Sequence, residues 1–216
     1  MKFLLLDMVG VLIALVIGAI ILFFSGPFGP NFLILLIVFL AAGVIVTKYE
    51  KPVKKEMGIY EHERSWENVV ANGLVPVLCA VLATIDLKWG AAYIGAVAAI
   101  TSDKFASELG VLGGNPLNLM TLKLTRPGTS GSMSALGTFM SFDGALLIGF
   151  AARFLFPQLS LLNVLAIGLI GFAGSFVDTL FGILEEKGIG NKSTTNIICA
   201  IAGAVLGYYL LPIVTV

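Results

Sequence analysis

The chain has 216 residues, of which 58% are hydrophobic and 12% charged, with mean hydropathy +1.00 and a formal net charge of zero. An average globular domain carries about 45–50% apolar and ~25% charged residues, so these figures point to a multi-pass membrane protein and away from a soluble enzyme. Balanced charge supplies no field to attract nucleic acid, and Cys79 and Cys199 each lie inside an apolar run, which suits neither a zinc site nor a disulfide framework.

Seven apolar stretches are candidates to span a bilayer: 3–24, 31–47, 69–85, 89–107, 132–156, 161–184 and 195–214. A span needs roughly 17–25 residues, so the second and third are marginal. The first begins "MKFLLLD", is too long for a signal-peptide core and is followed by no Ala-x-Ala site. It reads as a retained helix with Asp7 at the interface. "SGPFGP" turns the chain into the second stretch. A charged segment, 48–68, then reads as a cytoplasmic or interfacial helix. It holds the single histidine, His62, which reads as a surface residue.

The fourth stretch, "WGAAYIGAVAAIT", is uncharged and runs directly into "SDKFASELG" (102–110). Asp103 and Glu108 are five residues apart, an offset of about 140° on a regular helix. If both serve one site, the helix must end or unwind between them, and Gly110, Gly113 and Gly114 favour an ending there. A polar loop follows. "KLTRPGTSGSMSALG" (123–137) places Lys123 and Arg126 before a Gly/Ser/Thr-rich loop that opens into the fifth stretch. A helix N-terminus behind glycines can cradle phosphate. It can equally be an ordinary turn with Thr129 or Ser132 as N-cap. Asp143, eleven residues into the fifth stretch, has no role that the sequence assigns. On the sixth stretch Gly171, Ser175, Asp178, Gly182 and Glu185 recur at helical spacing, giving a small-residue stripe with a carboxylate in it.

With seven spans, the N-terminus and the second, fourth and sixth connections share a face. That face collects Lys2, Lys48, Lys51, Lys54, Lys55, Arg64, Lys104, Lys123, Arg126, Lys187 and Lys192, against Lys88 and Arg153 on the other. The bias puts the N-terminus and the loops 108–131 and 185–194 in the cytoplasm of a cell bounded by this membrane. There is no internal repeat, so the expectation is one all-α polytopic domain, 1–216, with about seven transmembrane helices. Two readings of Asp103 and Asp178 stand at this point. They can hold Mg²⁺, for which oxygen donors without a His/Cys cluster are suited. They can instead pair structurally with Lys104, Lys123 or Arg126.

Five segments, "RSWENVVANG" (64–73), "SDKFASELG", "GTSGSMSALGT" (128–138), "GSFVDTLFG" (174–182) and "NKSTTN" (191–196), occur in that order. Together they resemble the integral membrane family that includes the phytyl-phosphate kinase of the plant vitamin E pathway. The resemblance covers residues 45 to the C-terminus. It implies a kinase that converts a prenyl monophosphate (phytyl, farnesyl or geranylgeranyl) to the diphosphate with CTP or another nucleoside triphosphate and Mg²⁺. Carried over by position, Asp103, Glu108 and Asp178 match the family's acidic positions, and with the oxygen-donor argument they are the expected catalytic and Mg²⁺-holding residues. Lys104, Lys123, Arg126, Gly128, Thr129, Ser130, Gly131, Ser132 and Ser134, with Asn191 and Asn196, are then expected on the nucleotide phosphates, and Arg64, Asn68 and Asn72 belong to a further matching segment. Lys104 departs from the family, which commonly has threonine there. A CTP-dependent cytidylyltransferase making a CDP-lipid and a non-enzymatic isoprenoid-phosphate carrier are the alternatives. The expected partners are the nucleotide, the prenyl phosphate and the bilayer, not nucleic acid. Oligomeric state is open, a homodimer included.

Overall fold

The computed structural model describes residues 5–60 and 64–215; Lys2 and His62 lie outside them. Among the described residues seven long helices occupy the seven apolar stretches: α1 (Met8–Phe24), α2 (Gly29–Lys48), α4 (Trp66–Leu82), α5 (Lys88–Gly110), α6 (Ala135–Leu155), α7 (Leu161–Glu186) and α8 (Lys192–Leu210). A short α3 (Lys51–Glu56) follows α2. By length and composition four segments are able to cross a membrane: Gly26–Lys48, Ala135–Leu155, Leu161–Glu186 and Lys192–Leu210. Helices α1 and α4 are apolar but shorter, 17 residues each.

Local chemistry sets the boundaries. Asp7 is the N-cap of α1, accepting from the Gly10 N–H, and it also accepts from the Trp66 N–H at 3.2 Å. It therefore ties the starts of α1 and α4 together and is more than an interfacial charge. Ser134 caps α6, a capping box of Ser160 and Asn163 opens α7, and Asn191 caps α8. The fold is not purely helical. The loop after α5 holds three two-residue strands, β1 (Leu117–Asn118), β2 (Lys123–Leu124) and β3 (Ser132–Met133), in the antiparallel order β2-β1-β3. Two-residue strands leave no alternation for a sequence to display.

Helix α5 is the axis. Every residue from Gly90 to Ser102 is buried, as expected of a helix apolar on all sides. Small residues let its neighbours close in. A Cβ on Gly95 would lie 2.2 Å from the Gly203 carbonyl oxygen of α8, and one on Gly171 would lie 2.4 Å from Ala145 Cβ of α6. The outer faces carry exposed Phe139, Phe150, Phe154, Leu162 and Leu169, a ring of apolar surface that a soluble monomer rarely shows. Asp143 is exposed on this outer face of α6 rather than inside a pore.

Contacts sort the connections to two ends. At one end Asn31 Nδ2 donates to the Leu155 carbonyl, and Tyr208 donates to Asp86 at 2.8 Å. The Lys88 N–H, and after it the Tyr208 hydroxyl, hold Asp86, which lies between α4 and α5, below the usual carboxylate range. The opposite end, here the loop end, gathers α3, the strand-bearing loop and the α7–α8 turn.

Candidate functional site

A cleft of about 210 Å³ opens at the loop end. Its floor is made by the last turns of α5 and α7 and the first turn of α8. Asp103, Ala106, Ser107 and Gly110 come from α5, and Asp178, Thr179, Gly182 and Glu185 from α7. The small-residue stripe anticipated on α7 does pack closely on α5: a Cβ on Gly171 would lie 2.8 Å from the Ala98 carbonyl oxygen. That closeness brings Asp103 and Asp178 against each other. Lys192, from the first turn of α8, reaches both, 3.1 Å from Asp178 Oδ2 and 3.7 Å from Asp103 Oδ2. The carboxyls are mostly buried, with side-chain exposures of 13% and 8%, while the lysine is half exposed at the mouth.

The roof is the 128–134 loop, whose seven residues all line the cleft. Gly131 adopts φ +68° and rests on α7. A Cβ there would lie 2.9 Å from the Ile183 backbone nitrogen, and one on Gly182 would lie 2.6 Å from the Gly131 nitrogen. Glycine is needed on both sides of this contact. Ser134 donates to the Gly110 carbonyl at 2.7 Å and accepts from the Gly137 N–H at 3.0 Å, which pins the start of α6 to the end of α5. The N-cap is thus Ser134, not Thr129 or Ser132. Ser132 instead closes the loop by donating to the Thr129 carbonyl.

Other residues of the five segments lie elsewhere. Helix α5 stays regular through Gly110, so it does not unwind between Asp103 and Glu108. Their angular offset persists, and Glu108 faces the opposite side. There it accepts from Thr47 Oγ1 at 2.6 Å and pairs with Lys54 at 2.9 Å and Lys104 at 2.7 Å. Arg64 donates to the same Thr47 hydroxyl and to the Gly43 carbonyl. This network binds α2, α3 and α5 and the segment leading into α4. Lys123 and Arg126 are exposed and outside the cleft lining. Asn191 is occupied as the α8 cap, accepting from the Thr194 N–H. Asn196 is buried one turn below Lys192. Asn72 donates to Asn68, and both line, with Arg64, an apolar groove of about 480 Å³ between α1, α2 and α4.

Sequence reasoning missed Lys192 as a site residue. It stands inside "NKSTTN", but it served only as a positive charge in a loop; the available signal was its place one residue after a helix cap, opposite two carboxylates. Glu185 was seen on the α7 stripe, and Thr179 carried no signal. No group of three or more His, Cys, Asp or Glu side chains gathers to hold a metal among the described residues. Two carboxylates, however, are a common protein share of a Mg²⁺ site that takes its other ligands from water and phosphate. Asp103 Oδ2 and Asp178 Oδ2 converge on the Lys192 ammonium, a positive charge at the place a metal ion would take. The residues fit such an ion when phosphates complete its shell.

A protein-family model described as integral membrane protein DUF92 matches residues 1–206. The chain belongs to this family of integral membrane proteins. A relative described as an uncharacterized membrane protein, from Methanocaldococcus jannaschii, is 38% identical over 205 residues, covering 94% of this chain and 84% of its own. No solved structure matches. Family membership accounts for the exposed apolar ring as surface that faces lipid.

Proposed function

We propose that this DUF92 chain is a prenyl-phosphate kinase working at the loop end of the bundle. The observation that carries the reading is convergence: Asp103, Asp178 and Lys192 share one cleft with the Gly/Ser loop 128–134. Exposed carboxylates alone would attract no nucleotide. Carboxylates facing a glycine loop at a helix start, with an ammonium between them, make a place for a metal-bound polyphosphate.

In this reading Mg²⁺, when bound, neutralises the nucleotide phosphates, and Asp103 and Asp178 hold it. The loop's close approach to α7 lets backbone N–H groups near Gly131 lie along the phosphates. Lys192, released from the carboxylates, is placed to draw charge from the transferring phosphoryl group. The acceptor is a phosphate monoester with a second pKa near 6, already mostly dianionic at neutral pH. An acceptor oxygen forms a bond to the γ-phosphorus while the bond from that phosphorus to the β–γ bridging oxygen breaks, and the nucleoside diphosphate leaves. No proton has to be removed, so no histidine is required. Positioning and charge neutralisation supply the catalysis.

We further propose seven spans with the loop end cytoplasmic, where nucleotide is available, supported by the eleven-to-two distribution of basic residues. The test of the activity is purified protein in lipid nanodiscs with phytyl, farnesyl and geranylgeranyl phosphates, against each nucleoside triphosphate with Mg²⁺. Nucleoside diphosphate and prenyl diphosphate are the expected products. Pyrophosphate with a CDP-lipid would instead establish the cytidylyltransferase, and no turnover with any pair would remove the enzyme reading.

A further inference from the structure

Beneath the Asp103–Lys192–Asp178 triad lies a layer that the proposed chemistry does not use. Ser102 Oγ, Ser175 Oγ, Asp178 Oδ1 and Asn196 Oδ1 are all buried there without a hydrogen-bond partner. Their residues are 0%, 1%, 5% and 3% exposed. Buried polar atoms are nearly always partnered, because an unpartnered one forfeits the bonds it made in water.

Helix phase puts these oxygens within about one turn of each other. Cβ atoms on Gly174 of α7 and Gly203 of α8 would each abut Ala99 of α5, and Gly174 also faces the Cys199 carbonyl of α8. Ala99, Gly174 and Cys199 therefore form one layer of a three-helix seam. One turn towards the loop end, α5 brings Ser102 and α7 brings Asp178. Helix α8 runs the opposite way and brings Asn196. Ser175 is a turn below Asp178 and a turn beyond Gly171, whose Cβ would meet Ala145 of α6 and the Ala98 carbonyl of α5, so it lies against α5 at the edge of the seam. Formal charge points the same way. Asp103 and Asp178 against one Lys192 leave one formal negative charge in an interior of low dielectric. Glu185 is seven residues beyond Asp178, about 10 Å nearer the mouth, and does not belong to this layer.

We propose that the layer binds a small, hard, monovalent cation of the sodium class, held by Asp178 Oδ1, Asn196 Oδ1 and the hydroxyls of Ser102 and Ser175. The donors are oxygens only, which selects a hard ion. Three of the four are neutral, and a single positive charge brings the triad and ion to neutrality, where a divalent ion would leave an excess. The ion joins α5, α7 and α8 and keeps Asp178 Oδ2 turned towards the cleft. It requires no nucleotide and is independent of which substrate the cleft takes.

The test uses the full chain in nanodiscs with a chelator and no nucleotide. Thermal unfolding is followed at constant ionic strength as NaCl is exchanged for KCl or choline chloride. A midpoint about 5 °C higher in Na⁺ and saturating with its concentration is expected, the size a ligand well above its Kd gives a chain of this length. The double variant Ser102→Ala/Ser175→Ala removes two hydroxyls and little volume, and is expected to lose the Na⁺ dependence while remaining folded. If that variant does not fold, ²²Na⁺ retention by the native protein, competed by Li⁺ more than by K⁺, reads the same site. Equal midpoints in all three salts overturn the proposal. So does a Na⁺ dependence that persists in the variant, and so does an equal rise with Mg²⁺ alone in Na⁺-free buffer, which would assign these oxygens to the divalent site. None of these outcomes depends on turnover, so a failure of the kinase reading leaves this result distinguishable.

Discussion

Lys192 reaches both of two carboxyls that face each other across the α5–α7 seam, so its removal and theirs have opposite electrostatic effects. Asp103→Asn and Asp178→Asn each remove a metal donor. Turnover is expected to fall by at least about 100-fold, the scale seen when one group that stabilises developing charge is lost, with membrane expression retained. Near-normal turnover of both variants at limiting Mg²⁺ would make the pair structural. Lys192→Ala leaves the donors intact. It is expected to lower kcat more than nucleotide affinity, which separate kcat and KM measurements read directly. Glu108 belongs to a different balance. Lys54 is 1% exposed, and its ammonium is held by the Val46 carbonyl at 2.7 Å and by Glu108. Lys54→Met removes one partner of a buried pair and is expected to cost about 2–4 kcal/mol. Lys104 remains beside Glu108, which keeps the loss below that of a fully orphaned charge. A melting temperature within about 2 °C of the native value would show the pair to be dispensable. Had Glu108 been a metal ligand, Glu108→Gln would resemble Asp103→Asn in turnover; the geometry predicts lowered stability instead.

Among the elements, α5 and α8 show how little room the fold leaves. Cβ atoms on Gly95, Gly203 and Gly207 would all fall within 2.2–2.5 Å of a carbonyl oxygen on the facing helix. Gly203→Val is expected to force the two helices apart by more than a side-chain rotation can absorb. The readout is loss of a monodisperse peak on size exclusion in detergent, and a monodisperse variant with native melting behaviour would count against this packing. The loop 128–134 is built on the same principle. Gly131→Val introduces a side chain at positive φ and against the Ile183 backbone, so it disturbs the roof of the cleft before any ligand arrives. Ser130→Ala keeps the backbone and is the better probe of ligand contact: weaker nucleotide binding with unchanged melting is expected if the hydroxyl touches phosphate.

For the whole molecule, the testable quantity is sidedness. Lys51, Lys54 and Lys55 on α3, the strand-bearing loop and the α7–α8 turn all sit at one end of the bundle, with Lys88 and Arg153 at the other. A single exposed cysteine at Lys187 is expected to be protected from an impermeant reagent in intact cells, and one at Gln158, at the opposite end, to be labelled. The reverse pattern would invert the topology and leave the proposed cleft without cytoplasmic nucleotide.

Much of this was legible in the sequence. Long apolar runs located the seven long helices to within about five residues, and four of these segments are long and apolar enough to cross a membrane. The stripe on α7 foretold that Asp178 would sit on a closely packed face, because helical periodicity is fixed and small residues permit close approach. What periodicity could not decide was which neighbour each face would meet. Glu108 lies five residues from Asp103 in the chain, yet a helix that stays intact to Gly110 turns it towards Lys54 and Thr47. Lys192 is distant in sequence from Asp103 and adjacent in space. Ser102, Ser175 and Asn196 each stand inside one of the five segments, but nothing in those segments says that their oxygens share a seam. Their placement follows from the rotation and depth of three packed helices, and only the tertiary structure sets those.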